Sequence, residues 1–258
     1  MHIMVVLRLV ADLGGDIEIA HGGKDIDREW VDLKLNEFDD HALEEAIFLK
    51  EIVGAKLTAI MIDGDGVERS LQTALARGAD EARRIAVDDT DGPISSRAMT
   101  PVVAAAAAEL GADLVLTGVQ SPEDIFGQLA PSLGAVLGWP QASAVSSVKP
   151  DDGSTITVQQ EYSGGVSAAI RLPLPAVLGV QTASRPIRYV TGSKLRQAMA
   201  EEIPRIEATA AVAMPDVEIV ELRVPDEAGG AVMLDGDADA IADEILRLLA
   251  DRALLQVC

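Results

Sequence analysis

The chain has 258 residues, 48% of them hydrophobic but only 3% aromatic, so a sizeable core can be built, mainly from Ala, Val, Leu and Ile, as one α/β domain with appendages or as two small domains. Forty-two acidic residues against 21 basic ones leave a net charge of −21, which argues against nucleic-acid binding, since that rests on Lys and Arg neutralising phosphates. A single cysteine, Cys258, excludes a disulfide within the chain and a Cys-held zinc or iron–sulfur site.

The opening MHIMVVLRLV is apolar for too short a run to span a membrane and lacks a signal-peptide cleavage site, so a cytoplasmic chain without membrane insertion is expected. Residues 3 to 10 read as a first buried strand, ended by Leu13-Gly14-Gly15-Asp16. IEIAHGG and KDIDREWVDLKL then alternate about a turn at Gly22-Gly23 and predict a hairpin laid over the domain edge. A helix is expected from about Asp40 to Val53, with Ala42, Leu43, Ala46, Ile47, Leu49 and Val53 inward and Gly54 as stop. KLTAIMI at 56 to 62 is the next strand, VERSLQTALARG the next helix, closed by Gly78, and ARRIAV at 82 to 87 the third strand. A polar loop leads to the helix RAMTPVVAAAAAELG, then to the strand LVLT at 114 to 117 and a further helix over Leu129 to Leu137.

Such alternation predicts a doubly wound, mostly parallel sheet with helices on both faces and right-handed crossovers. After Pro140, three short alternating runs (SAVSSVKP, STITVQQEY, VSAAIRLP) read as antiparallel strands added to that sheet, and PAVLGV closes it. The domain is set at 1–186. The remainder, 187–258, reads as an arm: SKLRQAMAEEI is a short helix, VEIVELRVP at 217 to 225 is strand-like, and DADAIADEILRLLADRALL is a helix with Ile241, Ile245, Leu248 and Leu249 on one stripe. Residues 196 to 258 carry fourteen acidic against five basic residues and cannot form a core of their own. They must pack on their own domain or on a partner.

The segment from Gly118 to Gln141, GVQSPEDIFGQLAPSLGAVLGWPQ, joins a strand to a helix N-terminus, the place where open α/β sheets bind phosphates. It resembles the adenosine-phosphate loop of the β subunit of electron-transfer flavoprotein, in Gly118, Gln120, Glu123, Asp124, Gln128 and the closing Leu137-Gly138-Trp139-Pro140. LNEFDDHALEEAIFLKE at 35 to 51, SLQTALARGAD at 70 to 80 and RLPLPAVLGV at 171 to 180 resemble other stretches of that family in the same order. The resemblance covers residues 1 to about 200. It implies an adenine-nucleotide alpha-hydrolase-like fold and a heterodimer with an α subunit, around which the arm would wrap. It also implies a shared FAD that carries electrons from a flavin dehydrogenase to a quinone reductase or similar redox partner, with Ala11 to Gly14 as one wall of the flavin site.

Carried over residue by residue, the nucleotide pocket would use Val6, Asn36, Phe38, Asp39, Ile62, Gly118, Val119, Gln120, Ser121, Pro122, Glu123, Asp124, Ile125, Phe126, Gly127, Gln128 and Leu129. Asn36 and Asp39 also fit ordinary helix caps. The family's Asn-Pro is Asn36-Glu37 here, Leu129 replaces a polar residue near the phosphate end, and a carboxylate at Glu123 or Asp124 suits a phosphate only if it points away or binds a ribose hydroxyl. The ligand is AMP, or the adenylate end of a second FAD as in electron-bifurcating members. Ser95-Ser96-Arg97 in place of the Ala-Asp-Thr of those members favours AMP. Ala183 stands where the family presents a dehydrogenase-docking leucine, and a small side chain is a poor anchor.

SGGVS at 163 to 167 lacks the Asp of a pyrophosphatase loop and reads as a hairpin turn, and the Asp-Gly-Asp runs at 63 and 235 lack a calcium loop's terminal Glu. His2, His21 and His41 show no ligand pattern, and no nucleophile, base and orienter are grouped. The expectation is an electron-carrier subunit without catalysis of its own and without a metal site. The alternatives are a bifurcating, NADH-dependent subunit and a stand-alone, stress-protein-like ATP-binding domain.

Overall fold

The computed structural model describes residues 1–15, 17–87, 94–124, 126–212, 219–224 and 230–254. Its centre is a nine-stranded sheet in the order β11-β5-β4-β1-β6-β10-β7-β8-β9. The strands are β1 (His2–Val6), β4 (Lys56–Ile62), β5 (Glu81–Ala86), β6 (Leu114–Gly118), β7 (Gln141–Pro150), β8 (Thr155–Tyr162), β9 (Val166–Pro173), β10 (Ala176–Val180) and β11 (Arg205–Glu207). All pair in parallel from β11 to β7, and β8 and β9 add antiparallel.

Side-chain alternation sorts the core into two layers. On one face Ile3, Val5, Leu57, Ala59, Leu114, Leu116 and Leu178 pack under α1 (Glu37–Val53) and α2 (Val67–Arg77). On the other, Met4, Val6, Ile60, Val115 and Val177 pack under α3 (Ser96–Leu110) and α4 (Leu129–Leu137). This is the period of two expected of strands buried on both sides. The chain begins at β1 in the middle, winds outward through β4 and β5, then crosses the opposite face to β6. The carboxyl ends of β1 and β6, which pair directly, therefore border the crevice where the winding reverses.

Three expectations are revised. The apolar run 3–10 is two strands: β1 ends at Val6, and β2 (Leu9–Ala11) leaves the sheet to pair antiparallel with β3 (Leu33–Leu35). The intervening hairpin closes with Gly23 N–H donating to Ala20 O and an Ile19–Ile26 bridge. Helix α1 starts at Glu37 rather than Asp40. The strand-like stretch 217–225 forms no strand over its described residues 219–224. Its one recorded main-chain bond runs from Leu222 N–H to Gly23 O. A strand does come from the arm, but as β11, three residues long, on the free edge of β5. The helix expected from Ser193 is α5 (Gly192–Ala198), resting on α2, where Gln72 Nε2 donates to Glu201 O. The last helix, α6 (Ala238–Asp251), has no buried residue. Cys258 lies outside the described residues.

Candidate functional site

The crevice is built from four chain segments: the exit of β1, the start of α1, the start of α3 and the loop after β6. Val6 and Ile62, at the ends of their strands, lie in the apolar layer under α3 and α4, Val6 buried and Ile62 partly so. Two residues beyond Val6 comes Arg8, whose side chain is only 11% exposed. Its Nε and one terminal nitrogen donate to Asp39 Oδ2 at 3.0 Å and Oδ1 at 3.1 Å. The other terminal nitrogen reaches Ser96 Oγ at 3.3 Å, and a further bond of 3.4 Å goes to Gln120 O. Burial works against the Arg8 charge, but Asp39, Asp124 and Glu123 outweigh it and raise its pKa above the ordinary guanidinium value.

Asn36 and Asp39 do not act as ordinary helix caps. Asn36 occupies the N-cap position of α1 but makes no side-chain cap. Its Nδ2 donates instead to Gln120 O at 2.9 Å, while its Oδ1 is buried without a partner. Asp39 Oδ1 accepts from Gly118 N–H at 2.8 Å. A Cβ on Gly118 would lie 2.3 Å from Asp39 Oδ1 and 2.7 Å from Asp39 N, so only glycine lets α1 approach the end of β6. Phe38 is half-buried beside them.

The loop folds back on itself. Ser121 and Asp124 exchange main-chain hydrogen bonds, and Gly127 N–H donates to Asp124 O. Gly127 has φ +58°, and a Cβ there would meet Val119 O at 2.3 Å. The two acidic side chains are turned away from the loop's own N–H groups. Glu123 Oε1 accepts from Arg28 at 2.9 Å and from Ala11 N–H at 3.4 Å, and Asp124 Oδ2 accepts from Ser96 N–H at 2.7 Å. The helix behind the loop begins at Leu129 with no side-chain cap, and its third residue is Pro131, which has no N–H to satisfy. The first turn of that helix thus has no side-chain partner for its N–H groups. Gln120 and Gln128 are half-buried, whereas Pro122 and Phe126 are exposed. Leu129 buries its side chain in the core beside α3 and can offer the crevice only its main chain. Ile125 lies outside the described residues.

The structure joins Asn36, Asp39 and the Gly118 loop through Arg8, which sequence reading passed over together with Arg28, and through Ser96, which it took only as a departure from the bifurcating members' motif. The signal for Arg8 was there: a lone charge inside an apolar strand run must find a partner once buried. Histidines 2 and 41 are structural. His2 bonds Leu110 O and Thr58 Oγ1, and His41 Nδ1 accepts from Ala183 N–H. That contact, with Ser184 on Glu45 and Arg185 and Arg188 on Glu44, clamps the segment after β10 onto α1. Among the described residues no group of three His, Cys, Asp or Glu could hold a metal ion, and no helix is long and apolar enough to cross a membrane.

Comparison with known proteins gives a consistent picture. The family model for the electron transfer flavoprotein domain matches residues 25–211. The electron transfer flavoprotein subunit beta of Methylophilus methylotrophus is 30% identical over 264 residues, covering 96% of this chain and 98% of the relative. That of Bacillus subtilis is 27% identical, over 98% of this chain and 99% of its own length. The mitochondrial subunit beta of Oryza sativa subsp. indica is 28% identical over 98% and 99%.

Proposed function

The chain belongs to the electron transfer flavoprotein family, among its β subunits, and from that premise we propose that it holds an adenosine phosphate in the β1/β6 crevice and, with an α subunit, an FAD that carries electrons between a dehydrogenase and an acceptor. The observation that carries the nucleotide part is the buried, unpartnered Oδ1 of Asn36 beside a loop whose carboxylates are already bound. An orphaned buried acceptor is costly, and a ligand hydroxyl or amino group offsets that cost. The residues fit such a ligand: Val6 and Ile62 supply apolar contact, the uncapped start of α4 supplies N–H groups for a phosphate, and Glu123 and Asp124 do not oppose it. Ser95-Ser96-Arg97, in place of the Ala-Asp-Thr of bifurcating members, favours AMP over the adenylate of a second FAD.

The flavin supplies the redox chemistry when bound. This chain's part is to present a wall, Ala11 to Gly14, joined to the nucleotide loop by the Ala11–Glu123 bond. It also excludes water from one side of the ring and offers a surface to redox partners. The domain 1–186 is the nucleotide-binding body, and residues 187–258 are an arm whose last helix packs on the α subunit. A cytoplasmic location belongs to the same reading. The segment Thr182 to Pro186 is held to α1 and carries Ala183, whose small side chain is a poor anchor for a dehydrogenase that docks on a leucine.

The experiment is to co-express the chain with its α partner, purify and denature the complex, and quantify the released nucleotides. One FAD and one AMP per heterodimer is the expected result. Two FAD and no AMP would mean a bifurcating subunit, and a colourless chain purified alone with ATP would overturn the assignment.

A further inference from the structure

We infer that Arg8 is a positioning residue for nucleotide binding: it sets the register of the Gly118–Leu129 loop through hydrogen bonds to three separate segments and need not touch the ligand. The inference rests on the adenosine-phosphate reading above.

A buried guanidinium has five N–H donors in a fixed fork. Neutralising Asp39 takes two of them. The remaining bonds reach Ser96 Oγ at the start of α3 and Gln120 O in the loop, and neither partner is a charge. Arg8 also acts through its backbone, its carbonyl accepting from Asn36 N–H at 2.9 Å. One residue therefore touches every wall of the crevice.

The effect on the loop follows from the bonds that come next. Gln120 O accepts from both Arg8 and Asn36, so that peptide plane cannot rotate. The adjoining Ser121 closes the turn with Asp124, and Asp124 O holds Gly127 N–H. The start of α4 is thereby placed relative to β1. If Arg8 served only as the counter-charge of Asp39, lysine would replace it. If it positions the loop, lysine would not, because a single ammonium cannot span Asp39, Ser96 Oγ and Gln120 O in the geometry of the fork.

The test uses the heterodimer stripped of nucleotide, with AMP and adenosine as probes and flavin content and thermal midpoint as controls. Arg8→Lys is expected to weaken AMP by about tenfold to a hundredfold, the worth of one charge-assisted hydrogen bond. Adenosine, which has no phosphate to reach the α4 terminus, should weaken far less, with flavin content unchanged. Ser96→Ala, which removes one Arg8 partner and leaves the ion pair intact, should give a smaller loss in the same direction, and it decides the matter if Arg8→Lys does not assemble. Wild-type AMP affinity in either assembled variant, or a parallel loss of AMP and adenosine with a fall in thermal midpoint, would overturn the inference. A wild-type heterodimer that binds neither probe would instead remove the nucleotide reading, and this inference with it.

Discussion

A single missing side chain allows the crevice to form. Gly118 ends β6 where the first turn of α1 arrives, and its N–H is the donor that Asp39 Oδ1 accepts. Gly118→Ala would press a methyl group into Asp39 and the backbone at Phe38. Overpacking of this kind costs about 1–3 kcal/mol, and here the backbone cannot relax without parting from the Arg8–Asp39 pair. The expected outcome is a lower urea midpoint together with loss of co-purified adenosine phosphate. Wild-type nucleotide content in this variant would show that α1 does not need to approach the loop so closely. At the same scale, the sequence marked Gly118, Asn36 and Asp39 as important but assigned Asn36 and Asp39 either to ligand or to caps. The structure gives Asp39 to Arg8 and Gly118, an assignment that requires knowing that residues 8, 39 and 118 meet.

Elements were legible in proportion to the strength of their periodicity. The boundaries of β4 and α2 coincide with the sequence reading because glycines bracket them, Gly54 before β4, Gly66 before α2 and Gly78 after it, whereas β11 is too short to show a period and exists because the edge of β5 was free. Helix α6 was legible as amphipathic, yet no residue of its stripe is fully buried, and Ile245 is 44% exposed. Ile245→Asp is therefore expected to leave the thermal midpoint of the isolated chain unchanged and to weaken heterodimer formation, read by size-exclusion chromatography at dilute concentration. A drop in the isolated chain's own stability would place α6 on this domain instead. The turn between β7 and β8 offers a pH test. Asp152 accepts hydrogen bonds from Ser154 and Thr155, which hold its carboxyl at about 2 against an ordinary 3.8. A carboxyl depressed on folding contributes fully above the unfolded pKa and loses that contribution as pH falls through the folded one. The turn should stay ordered at pH 4 and open toward pH 2, with the Asp152 carboxyl resonance titrating near the lower end; titration near 3.8 would show that the turn does not hold it.

At the scale of the whole molecule, a net charge of −21 creates a field that extends well beyond any one contact. Association with a basic redox partner should be fast at low salt and fall by about tenfold or more between about 50 and 500 mM NaCl, as the screening length shrinks. Stopped-flow measurement of electron transfer from a reduced partner would read this directly, and a salt-independent rate would mean that the contact lies on a neutral part of the surface. The fold class, the order of the strands along the chain and the loop that carries the candidate site were all determined by the sequence itself, because hydrophobic period, glycine stops and a strand–loop–helix junction are local properties. Only the tertiary structure decided that Arg8 spans three segments, that Glu123 and Asp124 turn to Arg28 and Ser96, and that residues of the arm complete the sheet as β11. Those outcomes depend on which groups separated by tens of residues are brought together and shut away from water, and a buried charge or an open strand edge finds its partner by proximity that no local pattern encodes.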